Sequence, residues 1–312
     1  MSSYGFATLL HNLPELTSLG RCDCLPQALA QYYQCIKPSD SSFQHQFNLE
    51  EVHCESPVTE NDLSVIVEHF PKLSKIKIVY RPEENEILNS FDECPHLTKL
   101  NLLPLLTDVT IVSGDFYNHS IFSALQDGGQ FLTKLELVDC DEMNLNSLIM
   151  IGDNCHLLGS LTISCCHFNV DMEQRNRINE LCSLQTKFQR RSPFFKLKEL
   201  KFVLTSPVHV VMMKYPLYFS NNLVSFSFEQ LFQPLEDTFV NTLVGWSSWK
   251  CLESFFLNNS PNLSLMSANT ILGSCPRVKR IGSLSSWGQV DKEQLEAFKQ
   301  EVNNRNFDLD VK

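Results

Sequence analysis

Residues Phe131 to Ile163 read FLTKLELVDCDEMNLNSLIMIGDNCHLLGSLTI. The stretch opens on Leu132-x-x-Leu135-x-Leu137 and reaches Cys140. Leu145, Leu148 and Ile151 follow at helical spacing, and Cys155 then leads into Leu158-x-x-Leu161-x-Ile163, the same opening again. Alternation at the fourth and sixth positions sets two apolar side chains on one face of a strand, and spacing by three sets the others on one face of a helix. The second opening falls 26 residues after the first, from Leu132 to Leu158. One strand and one helix cannot bury their apolar faces alone, so such a unit must stack on copies of itself.

The same apolar-x-x-apolar-x-apolar pattern recurs along the chain. It starts weakly at Leu16-x-x-Leu19, then appears at Leu49, Leu73, Leu97, Leu132, Leu158, Leu197, Leu223, Leu252 and Val278. The steps are 33, 24, 24, 35, 26, 39, 26, 29 and 26 residues. A period in this range, built from one strand and one helix, is that of the leucine-rich repeat. The expected fold is an α/β solenoid of about ten leucine-rich repeats, with a curved parallel sheet on the concave face and helices on the convex face. Residues 1–290 are expected to form it, irregular at 103–131 and 166–196. Residues 291–312 are expected to form a C-terminal capping helix and strand. An additional match, Leu106-x-x-Val109-x-Ile111, falls inside the 35-residue step and can be a strand following its neighbour with no helix between them.

The intervals read as helices. Thr59-x-x-Asp62 has capping-box form, ahead of a stripe of Leu63, Ile66, Val67 and Phe70. Leu25, Leu29, Tyr32, Tyr33 and Ile36 form another stripe. Ile121, Phe122 and Leu125 form a third, with Gly128-Gly129 as its C-terminal cap, and Phe239, Val240, Leu243 and Val244 a fourth. The 39-residue step holds about 13 residues beyond the period. They predict a longer helix over 171–188 with Ile178, Leu181 and Leu184 inward, and a basic cluster of Lys187, Arg190, Arg191, Lys196 and Lys198. Asp291 predicts a last helix carrying Leu295, Phe298 and Val302, followed by the alternation of Phe307, Leu309 and Val311.

Composition narrows the function. Twenty-five Lys and Arg against 36 Asp and Glu leave a net charge of −11 in 312 residues, which argues against nucleic acid or an anionic membrane as partner. The N-terminus has no signal-peptide pattern, and no apolar run approaches the roughly 20 residues that span a bilayer. The expectation is a monomer in the cytoplasm or nucleus. Twelve cysteines in such a chain read as reduced thiols. Cys94, Cys155 and Cys275 each sit three residues before a strand's first apolar position and Cys140 follows a strand, positions that suit small buried hydrophobes. Cys22-x-Cys24 and Cys165-Cys166 lack a second pair at zinc spacing. No phosphate-binding glycine loop, Gly-x-Ser-x-Gly elbow or His-x-x-x-His pair occurs. No cofactor, metal ligand or catalytic residue is assigned, and the expectation is a binding protein rather than an enzyme.

The unit between Cys140 and Cys155 resembles the cysteine-containing leucine-rich repeat typical of F-box/leucine-rich-repeat proteins, and so does Cys94-Pro95-His96-Leu97-Thr98-Lys99-Leu100-Asn101-Leu102. The resemblance covers roughly Leu16 to Val311. It implies the substrate-recognition receptor of a cullin–RING ubiquitin ligase of SCF type, the repeats holding a protein substrate and a separate F-box docking the adaptor. The sequence departs from that pattern in its F-box. Leu13-Pro14-Glu15-Leu16 and Leu25-Pro26-Gln27 are similar to its Leu-Pro opening, but both lie within repeat spacing and no tryptophan precedes Trp246. A fragment, a short isoform and a free-standing repeat protein all fit this. The alternative function is a scaffold or adaptor with no ligase role.

In each strand the third and fifth positions face away from the core. They are Glu51, Lys75, Lys99, Lys134 and Ser160, and His53, Lys77, Asn101, Glu136 and Thr162. Lys75, Lys77, Lys99 and Lys134 are thereby expected to cluster on the concave face beside Glu136, and an acidic or phosphorylated partner segment would neutralise them. If the Leu106 strand intervenes, Asp108 stands between Lys99 and Lys134, and the lysines still share one surface. Lysine at such positions also serves simply to keep strands soluble and to blunt edge pairing.

Overall fold

The computed structural model describes residues 3–22, 25–32, 46–79, 95–114, 116, 120–184, 192–258, 260–282, 284, 287–304 and 310–311. Strands and helices alternate along the chain, which divides into two compact units, Met1–Met143 and Asn144–Lys312.

In the first unit the order is α1 (Ser3–Asn12), β1 (Ser18–Cys22), α2 (Leu25–Gln31), β2 (Glu51–Pro57), α3 (Glu60–His69) and β3 (Lys75–Val79). A 3-10 helix (Pro95–Leu102), β4 (Asp108–Val112), α4 (Ser120–Gly128) and β5 (Lys134–Val138) complete it. Each strand pairs in parallel with the next. The second unit runs α5 (Leu145–Asn154), β6 (Ser160–Ser164), α6 (Met172–Leu184), β7 (Glu199–Leu204), a 3-10 helix (Pro207–Met213), α7 (Lys214–Phe219), β8 (Ser225–Gln230) and α8 (Asp237–Val244). It continues through β9 (Ser254–Asn258), α9 (Leu265–Ser274), β10 (Arg280–Gly282), α10 (Lys292–Asn304) and β11 (Asp310–Val311). From β6 to β11 each strand again pairs in parallel with its successor.

Register is set where each strand begins. One carbonyl per repeat accepts two N–H groups from the next. Ser74 and Lys75 donate to Glu50 O at 2.8 and 2.9 Å, Thr107 and Asp108 to Ser74 O at 2.9 and 3.0 Å, and Thr133 and Lys134 to Thr107 O at 2.8 and 3.1 Å. In the second unit Gly159, Lys198, Val224 and Glu253 accept in the same way. A one-residue slip would turn every inward side chain outward, so these bonds and the alternation enforce the same register. The inward residues then stack across strands, Ile76 on Val109 on Leu135 and Ile78 on Ile111 on Leu137, all buried. Each such side chain contributes about 1.5–3 kcal/mol through burial.

The helices begin where the sequence expects them. Thr59 and Asp62 close the capping box of α3, the Thr59 N–H donating to Asp62 Oδ2 at 2.8 Å and the Asp62 N–H to Thr59 Oγ1 at 3.3 Å. Leu63, Ile66 and Phe70 are buried, as are Leu25, Leu29 and Tyr32; Tyr33 and Ile36 lie outside the described residues. In α6, Ile178 and Cys182 are buried and Leu181 is half-buried; the Leu184 side chain lies outside the described residues. Helix starts are tied together by polar contacts. In α8 the Asp237 carboxylate accepts from Ser264 N–H at 3.0 Å, Ser264 Oγ at 2.6 Å and Ser267 Oγ at 2.5 Å. Burial works to raise this carboxyl, but those hydrogen bonds outweigh it and hold Asp237 below the usual carboxylate value.

Two expectations are corrected. Leu97-x-x-Leu100-x-Leu102 is not a strand but lies in the Pro95–Leu102 3-10 helix, and the strand is formed by Leu106-x-x-Val109-x-Ile111. Proline suits a helix start, where its missing N–H has no partner to lose. Leu97, Leu100, Leu103 and Leu106 recur every three residues, the period of a 3-10 turn. All four are buried, whereas Leu102, which a strand would have turned inward, is 68% exposed. The second correction concerns Gly128-Gly129. α4 passes into a 3-10 turn (Gly129–Phe131) with Gly128 at φ −95°, so no left-handed cap forms. The Asn101 side chain closes over this glycine, and a Cβ on Gly128 would come within 2.1 Å of Asn101 Oδ1 and displace it.

The thiols lie where the repeat needs small hydrophobes. Cys140, Cys155 and Cys275 are buried thiols that form no disulfide among the described residues; Cys94 lies outside the described residues. Burial pushes the Cys155 and Cys275 thiols up to about 12 and Cys182 up to about 11. These groups are therefore protonated and inert as nucleophiles at neutral pH.

His209, in the Pro207–Met213 turn, is also buried. Its Nε2 accepts the Phe168 N–H at 3.3 Å, and its Nδ1 has no partner among the described residues. Burial, and then the neighbouring His167, lower its pKa below 6.5. A proton on Nε2 would also break the Phe168 bond. Between the folded value and 6.5 the unfolded chain binds the extra proton, so stability is full above pH 6.5 and falls as the pH drops below it. Urea unfolding of wild type and His209→Gln between pH 7.5 and 5 should show a steeper loss in wild type, by up to about 1.4 kcal/mol per pH unit within that window. Parallel curves would remove His209 as the cause.

Candidate protein-binding face

The side of each sheet opposite the core is built from the third and fifth strand positions. In the first unit the third positions align as Glu51, Lys75, Asp108 and Lys134, and the fifth as His53, Lys77, Thr110 and Glu136. These side chains are exposed or half-buried, alternating with the buried residues between them.

Four of the five expected site residues, Lys75, Lys77, Lys134 and Glu136, stand on this face. Lys99 does not. It belongs to the Pro95–Leu102 3-10 helix, and its Nζ donates to Ser64 Oγ on α3. The expected lysine cluster is corrected in turn. Asp108 takes the place between Lys75 and Lys134, so the two lysine backbone positions are two strand spacings apart, about 10 Å. That is longer than the Debye length of about 8 Å at physiological salt, and each lysine faces an opposite charge across the strand. The first row carries two acids and two bases, and the second carries Lys77 against Glu136. The face is therefore balanced within a chain of net charge −11.

Contacts within the face hold these groups in place. Lys77 Nζ meets Glu55 Oε1 at 3.2 Å and His53 Nε2 meets Glu51 Oε1 at 3.1 Å. Ser18 Oγ donates to Glu51 Oε2 at 3.2 Å, Thr133 Oγ1 to Asp108 Oδ1 at 3.1 Å, and Thr110 Oγ1 to Glu136 Oε2 at 3.5 Å. Such partly exposed pairs add little stability, roughly 0–1 kcal/mol each, but they order the side chains a partner would meet. Lys75 and Lys134 have no ion-pair partner among the described residues.

The second unit has a different outward face. Its third positions are Ser160, Glu199, Ser225, Ser254 and Arg280, and its fifth Thr162, Lys201, Ser227, Phe256 and Gly282. Hydroxyls predominate, with one half-buried aromatic ring. A Cβ on Gly282 would fall 1.9 Å from Phe256 Cδ1, so the ring lies directly against the glycine backbone. The position count that found Lys75 also reaches Glu199, Lys201 and Phe256, although charge clustering alone does not single them out. Of the basic insertion, Lys187, Arg190 and Arg191 lie outside the described residues, while Lys196 and Lys198 are exposed before β7.

Among the described residues no three His, Cys, Asp or Glu side chains are grouped to hold a metal ion, and no helix is long and apolar enough to cross a membrane. No protein-family model matches the chain, and no curated protein matches it. Among solved structures the chain is similar to one in the crystal structure of the Rad7 and Elc1 complex in yeast, with 13% identity and a TM-score of 0.45, covering 95% of this chain and 74% of that one.

Proposed function

We propose that this chain is a protein-recognition module and that the outward strand face of its first unit holds a segment of a partner protein. The observation that carries the reading is the registered row Glu51, Lys75, Asp108 and Lys134, in which two exposed ammonium groups flank a carboxylate at strand spacing. Strands pack about 4.8 Å apart and helices about 8–10 Å apart, so a stack of such repeats curves with the sheet inside, and this face is then concave. A balanced face favours a partner segment carrying both signs of charge over a purely acidic or phosphorylated one.

The finer reading is that the module holds substrate for a cullin–RING ubiquitin ligase. It is supported by the cysteine-containing repeats, with Cys155 and Cys275 buried at matching positions before a strand and Cys140 buried after one. The partner recovered on the wild-type chain should bind a Lys75→Glu, Lys134→Glu double variant at least tenfold more weakly, or about 1.4 kcal/mol. Lys99→Glu should bind normally, and all three proteins should keep their melting curves. Normal binding by the double variant would place recognition elsewhere. Co-purification of the wild-type chain with the F-box adaptor of the ligase tests the finer reading separately. Its failure beside intact partner binding leaves a scaffold.

A further inference from the structure

A second surface of the first unit has a different chemistry. Between the Pro95–Leu102 turn and α4 lies an apolar pocket of about 530 Å³, counting its open mouth. Leu103, Leu106, Val109, Leu125 and Leu132 line it, and Phe131 stands at its edge, 56% exposed. Leu105 in the adjoining turn is 54% exposed. Both residues occupy the position just before the first leucine of a strand motif. Earlier in this unit that position is polar, held by Asn48 and Lys72, whose side chains bond to each other at 2.6 Å. The row of turns thus changes from a satisfied polar pair to two exposed hydrophobes at the repeats that border the pocket.

Asp127 lies at the same edge. It is exposed, sits in the last turn of α4, and has no ion-pair partner among the described residues. A carboxylate there opposes the negative end of the helix dipole, and α4 has no basic residue in that turn to offset it. An uncompensated negative site beside an exposed apolar pocket is unfavourable for the isolated unit and complementary to a cation arriving with an apolar group.

We propose that this pocket is a docking site for a partner polypeptide, which inserts one large apolar side chain against Phe131 and places a following lysine or arginine against Asp127. The site is separate from the strand face, and its test does not depend on the function proposed for that face. The probes are N-acetyl-Phe-Lys-amide, N-acetyl-Phe-Glu-amide and N-acetyl-Ala-Lys-amide, titrated into the full chain labelled at its leucine methyl groups. The Phe-Lys probe should shift the signals of Leu103, Leu106, Leu125 and Leu132 saturably. The Phe-Glu probe should bind at least fivefold more weakly, and the Ala-Lys probe should produce no saturable shift. Asp127→Asn should bring the two phenylalanine probes to equal affinity, and Leu105→Ser with Phe131→Ser should abolish both while the melting curve is kept. Equal binding of the Lys and Glu probes to wild type, or no saturable shift at these methyls, overturns the proposal. So does self-association of the wild-type chain that the Leu105→Ser, Phe131→Ser variant loses, because the patch would then belong to a second copy.

Discussion

Phe255→Ala should lower the unfolding free energy of the second unit by about 3–5 kcal/mol, the range for truncating a buried aromatic. Phe255 is fully buried on β9 and forms a triangle with Phe226 on β8 and Trp249 in the preceding turn, each pair of ring centroids being 5.4 Å apart. Trp249 is held by its Nε1–H, which donates to Val244 O at 2.8 Å, so it cannot swing into the vacated space without losing that bond. The cavity therefore stays open, which places the loss at the upper part of the range. Removing Phe226 as well should cost less than the sum of the two single losses. The difference measures the Phe226–Phe255 coupling, about 0.5–1.5 kcal/mol for an aromatic pair. Urea unfolding monitored by tryptophan fluorescence checks both values. A loss under about 1 kcal/mol for Phe255→Ala would mean that the triangle is not packed as described.

Ending the chain after Val290 should have an equal or larger effect. We propose that α10 and β11 cap the repeats. Leu295, Phe298 and Val302 on α10 are buried, and β11 pairs with β10 through Arg280 to Asp310 and Ile281 to Val311. Three buried apolar side chains at about 1.5–3 kcal/mol each correspond to roughly 5–9 kcal/mol of burial lost. The truncation would also leave the backbone groups of β10 unpaired at an exposed edge, a template for aggregation. The truncated protein should form aggregates in light scattering or unfold over a broad, non-cooperative range. A monomer with the full chain's melting curve would refute the cap.

These two effects differ in how far they can be read from sequence. The helix of the proposed cap is legible because Leu295, Phe298 and Val302 share a helical face after Asp291, whose Oδ1 accepts the Gln294 N–H at 2.7 Å. The aromatic triangle is not. Cys155 and Cys275 mark the turn three residues before the first apolar residue of a strand motif, and Trp249 occupies the same position with φ at 47°. A count of repeat positions identifies the site but not that a tryptophan there would reach Phe226 and Phe255, since that depends on rotamers chosen by packing.

The alternation of strand and helix, the inward residues of most strands, the capping box of α3 and the burial of Cys140, Cys155 and Cys275 are all legible in the residues alone. These follow from local periodicity and from side-chain size, and neighbouring repeats reinforce them. The choice between Leu97 and Leu106 as the start of the fourth strand motif is instead made by strand pairing. Leu-x-x-Leu-x-Leu fits a strand through its spacing of two and a 3-10 turn through its spacing of three, so the pattern is degenerate over 97–106. Strand β3 resolves it by pairing with Asp108–Val112. That pairing moved Lys99 onto the helix side and set Asp108 between Lys75 and Lys134, because the charge of a sheet face depends on which strands are neighbours, a property that no single strand encodes.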